Sequence, residues 1–217
     1  MLSILLIRFH QFLEEARHNT LAKAVKKLVG KCLHNDSIVV PVYNDLSEVK
    51  KIKQEETNNF EFIVVDQRNL GLAERMMKTR SRRMKLAANN RAGYYAYAVA
   101  CNGEIIGDIW CATHKQTQRN PIHPDLPWLG ITCEDEREAY MFDMYVTPDS
   151  RGKVTTTYLL ANALDHLKKS GYRRVYGFYE KDNLPALWTH RLFGYAELGK
   201  RRSYRLLFYK KTEPVAG

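Results

Sequence analysis

Met141 to Val146 is a β-type run that stops at Thr147-Pro148, and Arg151-Gly152-Lys153 follows just before an apolar pattern of helical period. A helix start carries backbone N–H groups without intrahelical partners and the positive end of a dipole, and anions bind there. Arg151 and Lys153 add charge, and Gly152 lets a ligand approach the backbone. Strand, turn and helix together therefore read as a phosphate cradle. Val154 and Thr156 bring side chains to places where a phosphate would come close. Other reactive groups lack partners: Cys32, Cys101, Cys111 and Cys133 are scattered and pair with no histidine signature. His114, His123 and the carboxylates of Glu134–Glu138 match no tight ligand set, so no metal is expected. That acidic run reads either as a solvated loop or as a rim attracting a cationic amine.

The elements around this turn follow from pattern. "FEFIVV" from Phe60 is a strand, and "NLGLAERMMKTRSRRMKLAANN" is one or two helices. Two β-rich runs flank Asn102-Gly103, a favoured two-residue hairpin turn. Residues 115–137 form a long loop with three prolines. Then come a strand at 138–146, a helix over 151–169, a strand near 174–179, a helix over 183–192 and strands near 195–199 and 203–210. This order gives an α/β (α+β) fold, a mixed sheet with helices on its faces. Residues 1–55 read as an N-terminal extension and linker, with the main domain over 56–217. Leu21, Val25, Leu28, Val29 and Cys32 share one face of a basic amphipathic helix, and a short extended piece, interrupted by Pro41, follows from Ser37. Such a helix lies on an anionic membrane, packs on its own domain, or meets a second copy; all three stay open for residues 1–34.

The chain has 217 residues, and no stretch long and apolar enough to span a membrane. Its opening lacks a signal-peptide pattern, and dispersed cysteines fit a reduced, cytoplasmic setting. Net charge is +10, and residues 151–217 hold 14 basic against 5 acidic residues, a field suited to an anionic partner. No nucleic-acid motif is present.

Taken together, Val146-Thr-Pro148, Arg151-Gly152-Lys153, Asn183-Leu-Pro-Ala186 and Gly194-Tyr195 resemble the GNAT superfamily of N-acyltransferases over about residues 60–210. The resemblance implies a mostly antiparallel twisted sheet with a V-shaped splay at the central strand. It implies backbone amides of Arg151, Gly152, Lys153, Val154, Thr155 and Thr156 around the pyrophosphate of acetyl-CoA or another acyl-CoA. It places the pantetheine arm along Met144, Tyr145 and Val146 and beside Asn183, which also reads as a helix N-cap. Relatives usually carry glycine at the places of Val154 and Thr156. Either Thr155, Thr156 and Thr157 donate hydroxyl hydrogen bonds and the turn still holds pyrophosphate, or the turn is partly closed and the donor sits on acyl carrier protein. His190 occupies the place of a tyrosine thought to protonate the departing thiolate, a task imidazole can perform. Amine acylation also needs a base, and Asp143 is the first choice, with Phe142 and Met144 facing away from it; Glu138 and Asp108 are reserves. The expected activity is direct acyl transfer from acyl-CoA to a primary amine, with an amino sugar, lipid-linked near a membrane surface, or another small amine as candidate acceptors. Transfer from acyl carrier protein, and a non-catalytic module binding membrane or nucleic acid, are the alternatives. A homodimer is also open.

Overall fold

The computed structural model describes residues 2–18, 35–48, 59–152, 154–206 and 209–215. The basic amphipathic stretch at 19–34 and Lys153 lie outside the described residues. One sheet dominates. Its strands are β1 (Asn35–Asp45), β2 (Phe60–Val65), β3 (Tyr95–Cys101), β4 (Glu104–Thr113), β5 (Glu138–Val146), β6 (Arg174–Glu180), β7 (Ala196–Glu197), β8 (Arg201–Leu206) and β9 (Tyr209–Pro214). The order is β2-β3-β4-β5-β6-β1-β8-β9, with β7 also on β1. Seven helices are described: α1 (Leu2–His18), α2 (Leu70–Met76), α3 (Arg80–Arg91), α4 (His114–Thr117), α5 (Asp125–Leu129), α6 (Thr155–Lys169) and α7 (Leu184–Leu192).

Local chemistry accounts for much of this. The β3–β4 hairpin turns on Asn102 and Gly103 with φ of 51° and 79°, the double positive φ that this dipeptide tolerates best. Along α6, Leu159, Leu160, Ala163, Leu164 and Leu167 recur at helical spacing and are buried on the sheet. They meet Val40, Val42, Tyr97, Val99, Ile109 and Met141 from one face. On the other face, Ala96, Ala98, Trp110 and Tyr140 pack against Ala73, Met77 and Leu86 of the α2–α3 region. The segment read as a long loop finishes that layer: Ile122, Leu126 and Leu129 are buried in it.

Residues 35–45, placed by pattern in an N-terminal extension, form β1 inside the sheet, paired to β6 on one side and to β8 and β7 on the other. Pro41 lies in its middle, where a missing N–H normally costs a ladder bond. The Pro41 carbonyl accepts from Leu198 N at 2.8 Å, so its backbone faces the β7–β8 edge. On that edge the β8 pairing ends at Val39 and the β7 pairing begins at Val42, and the absent donor falls in the gap. The final apolar run is two strands, with Leu206 opposite Tyr209. On α1, Ile7 is buried while Leu6, Phe9 and Leu13 are exposed, and Glu14 accepts from Ser81 of α3.

All pairings between these strands are antiparallel except β5–β6, which the crossover through α6 makes parallel. That pair runs only from Glu138↔Arg174 to Tyr140↔Tyr176. Beyond it the two strands part, leaving β5 paired only to β4 and β6 only to β1. This is the V-shaped notch that the resemblance implies.

Candidate active site

Five features meet around the notch. The first is its floor. Gly177 is buried where β6 leaves β5, and a Cβ built there would lie 3.5 Å from the Met141 carbonyl oxygen and 3.9 Å from His190 Nε2. The absence of a side chain keeps the apex of the V open, and the imidazole edge is turned toward it.

The second is His190 itself, on the inner face of α7. Its ring stacks on Tyr179 with centroids 5.3 Å apart and meets Tyr195 edge-on at 4.9 Å. Nδ1 lies 2.7 Å from the Ala186 carbonyl oxygen. A carbonyl only accepts, so Nδ1 carries the proton and the neutral ring keeps its lone pair on Nε2. Burial, the larger influence, pushes the imidazole pKa below its ordinary value against the opposing pull of that hydrogen bond. Near neutrality Nε2 is therefore a proton acceptor, and once protonated it is a good donor.

The third is the phosphate turn. Ser150 N bonds Thr147 O and Arg151 N bonds Pro148 O, closing a single 3₁₀ turn. Gly152 follows with φ of 70° and open space on its Cβ side. Val154 stands at the N-cap of α6 without a side-chain cap, so the first-turn N–H groups have no intrahelical acceptor. Arg151 does not reach outward alone: its Nε donates to the Val146 carbonyl at 3.1 Å, tying the turn to the end of β5. The three threonines are not equivalent. Thr155 is fully buried, its methyl is the nearest atom to a Cβ built at Gly107, and its hydroxyl has no partner among the described residues. That hydroxyl is sealed from solvent, so it cannot serve an outside phosphate without rearrangement. Thr156, Thr157 and Val154 are half-buried.

The fourth is Asn183, whose Oδ1 accepts from Ala186 N at 3.2 Å and so caps α7. Its amide N–H groups remain available on an exposed residue.

The fifth is a charged cluster under β5. Asp143 adopts φ of 52°. In the β4–β5 ladder Asp108 faces Tyr145 and Trp110 faces Phe142, so two β5 residues, Asp143 and Met144, stand opposite Ile109 alone. This bulge breaks the alternation expected for the strand. Phe142 packs on Tyr94 and His123, on the α3 side, and Asp143 points to α3 as well, while Met144 turns to the α6 side. Phe142 and Asp143 thus share a face, contrary to the simple two-residue period. Asp143 Oδ2 lies 3.1 Å from Arg82 Nη1 and 2.5 Å from Lys85 Nζ. Burial alone would raise this carboxyl, but the Arg82 and Lys85 charges together outweigh it and hold it below its ordinary value. Arg82 also grips buried Asp108 through Nε and Nη2, and its guanidinium lies 4.8 Å over the Tyr145 ring. The other reserve, Glu138, is buried at the closed end of the β5–β6 pair, where Tyr176 OH donates to it at 3.0 Å.

One cavity lies away from the notch. It measures about 710 Å³ and is lined by His114, Lys115, Arg119, Arg137 and Tyr172 near the C-terminal end of α6. Fifteen helical residues put it about 22 Å from the phosphate turn. A second cavity of about 460 Å³ lies between α7, Val40 and Lys200. Among the described residues the notch alone combines a strand edge that no second strand covers, an imidazole lone pair and an open helix start, so it is the site of interest. Among the described residues no three His, Cys, Asp or Glu side chains converge on a cation site.

Arg82 and Lys85 carry no role in the sequence pattern, where they fall within a helical stretch; their i, i+3 spacing on one helix face was the available signal.

Comparison with known proteins points the same way. The model of the acetyltransferase (GNAT) family matches residues 73–195, from α2 to the residue after α7's terminal turn. No curated protein sequence matches the chain. Among solved structures, a GCN5-related glucosamine N-acetyltransferase region of a fungal multi-domain GH3 β-N-acetylglucosaminidase aligns with TM-score 0.57 and 16% identity over 85% of this chain. A Drosophila protein aligns with TM-score 0.50 and 13% identity, also over 85%. The chain spans 23% and 57% of those two chains, respectively.

Proposed function

Because the chain belongs to the acetyltransferase (GNAT) family, we propose that it transfers an acetyl or longer acyl group from acyl-CoA to a primary amine by direct attack at the notch. The observation that carries this reading is His190 Nε2 beside Gly177 and Met141 O, at the point where β5 and β6 part. In this reading the amides of Arg151, Gly152, Val154, Thr155 and Thr156 hold the pyrophosphate, with Lys153 adding charge. Met144, Tyr145 and Val146 present the notch-side edge of β5 to the pantetheine amides, and Asn183 meets the same arm from α7. Thioester carbonyl oxygen then faces a β5 N–H near Tyr145 or Val146.

The acceptor attacks as a neutral amine. Its nitrogen forms the new C–N bond while the carbonyl electrons move to oxygen, stabilised by that N–H. His190 Nε2 takes the proton the nitrogen must lose. The C–S bond breaks as the carbonyl re-forms, and the same Nε2–H protonates the departing sulfur. One imidazole thus serves as acceptor and then donor, the role its tautomer supports. An amino sugar or another small amine is the proposed acceptor.

The test is a panel of amines incubated with acetyl-CoA and longer acyl-CoAs, followed by free thiol release. Amine-dependent release is expected. Release that no amine raises above plain hydrolysis, in a protein that binds acetyl-CoA, would overturn the transfer reading. A second donor is favoured by Val154 and Thr156 at the turn: an acyl group on acyl carrier protein, whose acidic body suits the basic C-terminal third. Turnover with acyl carrier protein but not acyl-CoA selects it.

A further inference from the structure

We infer that Arg82 is a positioning residue that latches the β5 bulge, with Asp143 as its strand-side catch and not as the catalytic base. The inference rests on the reading that the β5 edge after the bulge receives the thioester arm.

Asp143 is the first residue of a bulge and sits in the left-handed region, where glycine is the usual occupant and aspartate or asparagine the next choice. A conformation of this kind persists only when its surroundings over-determine it. Those surroundings are unusually complete. One guanidinium, itself only 5% exposed, bridges Asp108 of β4, Asp143 of β5 and the face of Tyr145, two residues past the bulge. Lys85, one helical turn further along α3, closes on the same Asp143 oxygen. Both carboxylates are thus engaged by cations of α3. Register confirms what is held: the extra residue lies between the Phe142↔Trp110 and Tyr145↔Asp108 pairs, and Asp108 and Asp143 are the two residues Arg82 grips. Losing the bulge would slip the register beyond it by one residue, turn Met144, Tyr145 and Val146 over and remove their edge from the notch. The planar guanidinium sets two donors on Asp108, a third on Asp143 and its face on Tyr145, a spread that a compact ammonium does not reproduce.

A base and a catch respond differently to substitution. Asparagine tolerates the left-handed conformation and still accepts a hydrogen bond from Arg82, but it cannot take a proton. Alanine loses both the contact and the conformational tolerance. The variants are Asp143→Asn, Asp143→Ala and Arg82→Lys in the full chain. Each is measured for kcat, for acetyl-CoA affinity, for the pH–rate profile, and for amide exchange of the acetyl-CoA-free protein over 141–147, with β3 as reference. We expect Asp143→Asn to keep kcat within about threefold and to leave the acid limb of the profile in place. Arg82→Lys and Asp143→Ala should speed exchange at 143–146 about tenfold or more and weaken acetyl-CoA about tenfold, with β3 unchanged. Loss of kcat and of the acid limb in Asp143→Asn, with affinity and exchange intact, makes Asp143 the base and overturns the latch. So does unchanged exchange in Arg82→Lys and Asp143→Ala. If the parent protein binds no acetyl-CoA, the acyl-CoA reading falls, and exchange over 141–147 still decides the latch.

Discussion

Replacing His190 by phenylalanine separates proton chemistry from packing. The new ring keeps the stack on Tyr179 and the edge contact with Tyr195. What disappears is the Nδ1–H bond to Ala186 O, a net loss of about 1 kcal/mol, while that carbonyl remains the i−4 acceptor of its own helix. Stability should therefore change by about 1 kcal/mol at most, a Tm shift of about 2–4 °C for a chain of this size. The catalytic effect should be far larger, because general acid–base transfer contributes about 10²–10⁴ in rate. The expected variant binds acetyl-CoA like the parent but has kcat lower by about that factor. Thiol release against pH adds a second readout. His190 acts in its neutral form and its pKa is displaced downward, so the parent should be fully active at neutrality. Its rate should fall as pH drops through a value below the ordinary histidine pKa. In His190→Phe that acid limb should vanish with the rate. A variant turning over within about threefold of the parent, or keeping the limb in place, would refute the shuttle.

Other consequences concern stability. Thr155→Val replaces a buried hydroxyl without a partner among the described residues by a methyl of the same shape, and should raise unfolding free energy by about 1 kcal/mol in a urea titration. Leu164→Ala opens a cavity in the fully buried α6–sheet core and should cost about 2–5 kcal/mol in the same titration. His166, whose Nδ1 meets Tyr97 OH at 3.0 Å, and His190 both have pKa values lowered first by burial. Their contribution is present above the unfolded histidine pKa and is lost as pH falls toward the folded values, so Tm should drop on mild acidification. Substituting both by glutamine should flatten that dependence.

The sequence makes legible what is local. Asn102-Gly103 fixes its hairpin, Asn183 caps its helix, and the strand–turn–helix at 141–169 forms because each signal acts within a few residues. The miss at β1 has the opposite character. Pro41 breaks the strand pattern locally, and its tolerance depends on β6, β7 and β8, whose pairing residues lie more than 130 positions away. Arg82 was hidden for a related reason. A basic run on a helix looks like a solvated face, and only the sheet beneath shows that one arginine is inverted into the protein to meet two aspartates. His190 was found by its place in a motif, yet its tautomer became readable only when the Ala186 carbonyl was seen 2.7 Å from Nδ1.

The notch follows from connectivity. A helical crossover obliges β5 and β6 to run parallel in a sheet otherwise built from antiparallel pairs. Three residue pairs are enough to register the two strands; beyond them the bulge at Asp143 bends β5 away, and Gly177 offers no side chain to fill the space. Unpaired strand edges inside a protein are costly unless something completes them. Here the unpaired edge of β5 lies between a helix start with free N–H groups and an imidazole lone pair. A ligand extended like a strand, anionic at one end and electrophilic at the other, satisfies all three demands at once. The bulge must then be rigid, because an edge that slipped by one residue would offer its amides to the wrong face.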